Sequence, residues 1–191
     1  MPYRHDLMIE GHRIVALEYN AHKGGTPAVL IHGIMSSVAF WPEQDHSFDD
    51  YHWYSLSLPG HYPAVLPDGF QDADLTAEMI ARVLGEAIRQ LTDGQPAILL
   101  GHSTGAFAAL AIAAQAPELV QSVISVSGFA QGKWGGLLRP LQQLAGLGGM
   151  GEAMFRMNVK SGVLHPLVVY HLSSLYAADK QAYFAYPNFY Q

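Results

Sequence analysis

The sequence predicts an α/β fold with a mostly parallel central sheet and flanking helices. Three observations carry that prediction. Short continuous apolar runs at Pro27–Ile31 and Ala97–Leu100 have the unbroken character of strands buried on both faces. Between them, apolar residues recur every three or four positions, the period of a helix with one buried face. Finally, Ile98-Leu99-Leu100 runs through Gly101-His102-Ser103-Thr104-Gly105 into an alanine-rich stretch, a strand–turn–helix sequence. Strands that alternate with helices imply crossover connections and parallel pairing.

The elements follow in order. Leu7–Ile9 and Ile14–Leu17 flank Glu10-Gly11-His12-Arg13 and read as a β-hairpin. After the turn His22–Thr26, the strand Pro27–Ile31 ends at His32-Gly33, and the strand Trp53–Leu58 stops at Pro59-Gly60. Asp72 or Asp74 is placed to cap the next helix, whose buried face is Leu75, Met79, Ile80, Val83, Leu84, Ile88 and Leu91. Asp93-Gly94 ends that helix. Strand Ala97–Leu100, helix Gly105–Ala116 and strand Val123–Ser127 complete the pattern. Beyond Phe129 come glycine clusters, short helix-like patches and the aromatics Tyr176, Tyr183, Phe184, Tyr186, Phe189 and Tyr190, with no strand pattern. We expect a core over 1–129 and a helical cap over 130–191, with the aromatics serving as cap packing, as pocket lining, or as both.

Composition narrows the function. The 191 residues are 50% hydrophobic and 14% charged, without cysteine. That excludes intrinsic disorder, a disulfide scaffold, a thiol nucleophile and cysteine-ligated metal. A net charge of −6 gives no electrostatic footprint for nucleic acid. The 24 residues from Gly94 to Pro117 carry no formal charge. Glycines and polar residues interrupt them, so they read as a buried strand and a small-residue helix rather than a membrane span. Met1–Glu10 lacks the apolar core of a signal peptide, and a cytoplasmic location is expected. Ten histidines include no H-x-H and no H-E-x-x-H, so no metal is expected. Gly146-Leu147-Gly148-Gly149-Met150-Gly151 fits the dinucleotide fingerprint G-x-G-x-x-G, but it follows no strand and has no acidic residue about 20 positions on. It reads as a hinge in the cap, and no cofactor is expected.

Gly101–Gly105 matches G-x-S-x-G in the context that the motif demands. A sharp strand-to-helix turn exposes the serine hydroxyl, flanking glycines make room for it, and the new helix offers free N–H groups and the positive end of its dipole. With Leu30-Ile31-His32-Gly33-Ile34-Met35 and Leu58-Pro59-Gly60-His61 in the same order, the chain resembles the α/β-hydrolase superfamily, in its capped, single-domain esterase-like branch. The resemblance covers about residues 7–130, and Tyr62 stands where the family usually has glycine. It implies Ser103 as nucleophile and the backbone N–H groups of Thr104 and Ile34 as the oxyanion hole. His102 and His32 are expected to be structural. Serine at the elbow argues against the family's haloalkane dehalogenases and epoxide hydrolases, which use aspartate there. The implied reaction is hydrolysis of a small or medium apolar ester or thioester through an acyl-enzyme. A non-catalytic ligand- or partner-binding member of the fold, and an acyltransferase or lyase using the same serine, are the alternatives.

The triad order of this fold is Ser, then Asp or Glu, then His. After Ser103 the chain offers Glu118, Glu152 and Asp179 with His165 and His171. Glu152 with either histidine satisfies the order, but neither sits in the late-strand context of the family. The resemblance therefore implies that the chain ends inside the cap, with the last two strands, the acid and the base beyond Gln191.

Overall fold

The structure, a computed structural model, describes residues 2–34, 36–41, 48–130, 143 and 148–158. Two compact units divide the chain, 1–130 and 131–191.

The first unit holds one six-stranded sheet. β1 (Tyr3–Ile9) and β2 (His12–Tyr19) form the hairpin, followed by β3 (Ala28–Ile31), β4 (Trp53–Leu56), β5 (Ala97–His102) and β6 (Val120–Val126). Their order is β1-β2-β4-β3-β5-β6. The pairings β1–β2 and β2–β4 are antiparallel, while β3–β4, β3–β5 and β5–β6 are parallel. The hairpin turns at Glu10 (φ 50°) and Gly11 (φ 82°), the two successive positive values that a tight twist-matched turn requires. Both strands are longer than the apolar pattern predicts. Tyr3, Arg4, His5 and Asp6 extend β1, and His12 and Arg13 already belong to β2.

Side-chain alternation sends the strand residues to two cores. Val29, Ile31, Leu56 and Leu99 face helix α1 (Ala77–Leu91) and helix α2 (Thr104–Gln115), meeting Val83, Leu84, Ile88, Ala108 and Ile112. Ala28 and Leu30 point the other way, into Phe40, Trp41 and Trp53. Each fully buried leucine or isoleucine here contributes about 1.5–3 kcal/mol by leaving water. α2 is lined with Ala106, Ala108 and Ala109, all buried, and these small side chains let the helix lie close to the sheet.

α1 begins differently from the expectation. Asp72 and Asp74 lie in a separate 3-10 turn, where the Asp74 carboxylate accepts the Gln71 N–H at 2.8 Å. Thr76 is the N-cap, its hydroxyl accepting from the Met79 N–H at 3.1 Å. Leu75 precedes the helix and is 56% exposed rather than part of the buried face. At the far end of β2, Glu18 accepts from Nε2 of His5 and of His52, each at 2.8 Å, and from the Tyr54 hydroxyl at 3.2 Å. Burial alone would raise the Glu18 carboxyl, but these three donors outweigh it and hold the group below its ordinary range.

In the second unit the described element is helix α3 (Gly148–Asn158). The segment expected to be a hinge, Gly146–Gly151, instead supplies the first turn of that helix from Gly148 on. His165, His171, Asp179 and the aromatic cluster from Tyr176 lie outside the described residues. Among the described residues no helix is long and apolar enough to cross a membrane.

Candidate active site

The parallel strands β3, β4 and β5 end at the same edge of the sheet, and their exits bring three loops together. β5 leads directly into Ser103, the N-cap of α2. Ser103 has φ 52° and ψ −115°, a left-handed backbone that costs a non-glycine residue on the order of 1–3 kcal/mol. The surroundings hold it there. The Ser103 N–H donates to the Val126 carbonyl at 2.9 Å, and the Ser103 carbonyl accepts from Ala106 N–H at 3.0 Å and Phe107 N–H at 3.2 Å. Its hydroxyl makes no capping bond to the helix, unlike an ordinary serine N-cap.

The flanking glycines are required by close backbone approach. A β-carbon on Gly105 would overlap the Ile31 carbonyl, and one on Gly101 would overlap the Gly105 backbone and the Ala106 nitrogen. α2 therefore starts in contact with the end of β3. From the β3 side, Gly33 presses on the elbow, so that a β-carbon there would stand 3.2 Å from Ser103 Cβ and 2.9 Å from His102 Nδ1. Ile34 follows, with its side chain 55% exposed. Among the described residues, the backbone N–H groups of Ile34 and Thr104 donate to no backbone carbonyl. Ile34, on the loop after β3, and Ser103 and Thr104, at the start of α2, the three residues singled out in the sequence, thus lie on two segments that meet at Gly33.

Three histidines shape this edge through backbone and ring contacts. His32 is fully buried, with Nδ1 at 2.8 Å from the Gly33 carbonyl and Nε2 accepting the Leu58 N–H at 3.2 Å. Burial pushes it down to about 3, helped by the neighbouring His61. His61 lies 5.3 Å from it between ring centroids, approaches the Pro59 carbonyl through Nδ1 at 3.1 Å, and is pushed by burial down to about 4. His102 stacks on Phe40 at 5.2 Å, and burial lowers it as well. Sequence reasoning treats His61 only as the last letter of the Leu58–His61 motif. The usable signal is that the motif closes the strand beside β3, which places His61 next to His32.

Of the acids considered for the triad, Glu118 pairs with Arg89 at 3.0 Å and precedes β6, at the end of the sheet away from Ser103. Glu152 lies on α3. No group of three metal-ligating side chains occurs among the described residues.

Comparison with known proteins identifies the family. A model of the alpha/beta hydrolase family matches residues 28–189. The chain is 31% identical over 105 residues to the (E)-2-((N-methylformamido)methylene)succinate hydrolase of Acinetobacter baylyi, covering 54% of this chain and 38% of that protein. It is 36% identical over 106 residues to the 2-(acetamidomethylene)succinate hydrolase of Mesorhizobium japonicum, covering 54% of this chain and 36% of that one. Each match thus spans little more than a third of the relative. Among solved structures, a proposed epoxide hydrolase from Pseudomonas aeruginosa superposes with a TM-score of 0.75 at 18% identity, over 99% of this chain and 66% of that one. A thioesterase domain from the curacin biosynthetic pathway superposes with a TM-score of 0.60 at 21% identity, over 76% of this chain and 51% of that one. The strand order, the strained serine between β5 and α2, and the family match lead to one conclusion: the chain belongs to the alpha/beta hydrolase family.

Proposed function

We propose that the protein is a serine hydrolase that cleaves a small or medium apolar carboxylic ester or thioester through an acyl-enzyme on Ser103. The carrying observation is Ser103 itself, strained at the strand–helix junction with its hydroxyl released from capping. In this reading Oγ attacks the carbonyl carbon as a histidine base takes its proton. The alkoxide or thiolate leaves with that proton, and water then releases the acid by the same route. The N–H groups of Ile34 and Thr104 stabilise the oxyanion, each worth about 2.7–4 kcal/mol of barrier. Residues 130–191 serve as the helical cap. A triad acid and a histidine base complete the site, and the reaction is placed in the cytoplasm without cofactor, metal or nucleic acid.

A second reading is cleavage of an acylated nitrogen. It is favoured by the two curated relatives, both named as hydrolases of amido-methylene succinates. The acyl-enzyme chemistry is the same, and only the leaving group differs.

The test is reaction of the full-length protein with a fluorophosphonate probe, read by mass spectrometry. One adduct on Ser103, absent from Ser103→Ala, is expected. Absence of an adduct, together with ester and amide hydrolysis equal in wild type and Ser103→Ala, would overturn the proposal.

A further inference from the structure

The ring of His32 joins the exits of two neighbouring strands. One nitrogen meets the Gly33 carbonyl just past β3, and the other meets the Leu58 N–H just past β4. A carbonyl only accepts and a backbone N–H only donates, so these partners fix a single state of the ring, neutral with the proton on Nδ1. A charged ring would turn N–H against N–H at Leu58. Burial disfavours that charge, and the nearby His61 disfavours it further.

The Gly33 carbonyl belongs to the same planar peptide unit as the Ile34 N–H. In a trans unit the two point in opposite directions, so holding the carbonyl fixes where the N–H is aimed. Among the described residues, no other hydrogen bond fixes this peptide unit. Its side chain is mostly in solvent, and its N–H has no backbone acceptor among the described residues. Gly33 also lies against Ser103, since a β-carbon on it would stand 3.2 Å from Ser103 Cβ.

We propose that His32 is a positioning residue for acyl transfer, gripping the Gly33 carbonyl so that the Ile34 N–H stays aimed at the developing oxyanion. Its bond from Leu58 N–H ties that aim to the rigid end of β4. The inference rests on the serine-hydrolase reading, in which Ile34 N–H is one of two oxyanion donors. A donor acts only when it is held in place before the reaction, so loss of the grip is equivalent to loss of much of that donor.

The test uses the full-length protein with a p-nitrophenyl ester. His32→Leu keeps an apolar side chain of similar bulk and removes both bonds, whereas His32→Gln retains one donor and one acceptor. His32→Leu should lower kcat by about 10²-fold with KM changed by less than about threefold, and His32→Gln should recover at least a tenfold part of the loss. A purely structural role would instead lower the folded fraction and leave kcat per labelled active site unchanged. In the unsubstituted protein, long-range proton–nitrogen NMR should find His32 neutral and protonated on Nδ1 from pH 8 down to pH 5. Wild-type turnover with an unchanged kcat in folded His32→Leu would overturn the inference alone. So would an Nε2-protonated or charged His32 in the NMR experiment, whether or not His32→Leu folds. A wild type that neither turns over nor labels at Ser103 would overturn the hydrolase reading and this inference with it.

Discussion

Gly105 lies against Ile31 so closely that a β-carbon on the glycine would overlap the Ile31 carbonyl oxygen. The obstacle is backbone on a central strand, which has no rotamer to retreat into. Gly105→Ala should therefore destabilise the protein by about 3 kcal/mol, the upper end of the usual overpacking cost. The matched control is Gly24→Ala, where nothing lies within 4 Å of the new carbon. Urea unfolding of both variants checks this, and equal midpoints would show that the elbow yields to the added methyl.

Ser103 supplies a second expectation about the same turn. Its left-handed backbone is strained for any side chain but glycine. Ser103→Gly and Ser103→Ala should both lose hydrolysis, and the glycine variant should be the more stable by about 1 kcal/mol, the strain relief less the unfolded-state entropy of glycine. Comparing the two denaturation midpoints reads the strain directly. An alanine variant as stable as the glycine variant would mean that no strain is stored there.

The buried imidazoles set a pH dependence. His32 moves from an ordinary 6.5 to about 3 on folding, and His61 from 6.5 to about 4. Between those values the unfolded chain binds protons that the folded chain refuses. The stabilisation is fully present above about pH 6.5 and is lost as pH falls, by about 1.4 kcal/mol per pH unit for each ring. The His61 share stops growing near pH 4 and the His32 share near pH 3. Unfolding free energies at pH 7 and pH 5 should show the fall, and His61→Gln should make it shallower by the His61 share.

At α1 the capping bond is made by Thr76, whose hydroxyl accepts the Met79 N–H. Thr76→Ala should cost about 1 kcal/mol. Asp72→Ala should cost well under half of that, because Asp72 lies in the preceding 3-10 turn rather than at the cap. Thermal unfolding of the two variants separates them, and the reverse order would restore the aspartate as cap.

The residues differ in how plainly they announce these roles. Gly101, Ser103 and Gly105 are legible because their spacing encodes a local geometry, a turn too tight for side chains. β3 is legible because every one of its residues is both buried and apolar, which leaves an uninterrupted run, whereas β4 is equally buried but carries the polar Ser55. The first half of β1 is not, because its alternating polar residues face solvent and its pairing with β2 replaces apolar pattern as the determinant. The choice among Asp72, Asp74 and Thr76 depends on where the chain turns into α1, which capping preference alone does not decide. The tie from His32 to Leu58 depends on β3 and β4 being neighbours, a fact of sheet order rather than of sequence distance.

That order also sets a timetable. Gly33 and Ser103 meet only because β3 pairs in parallel with β5, and the chain must traverse β4 and α1 before that pairing can close. Helices form from local contacts, whereas parallel pairing must first overcome the entropy of closing a long loop. During refolding, far-UV circular dichroism should recover before Ser103 regains reactivity. The serine then acts as a clock for the moment when the centre of the sheet zips shut.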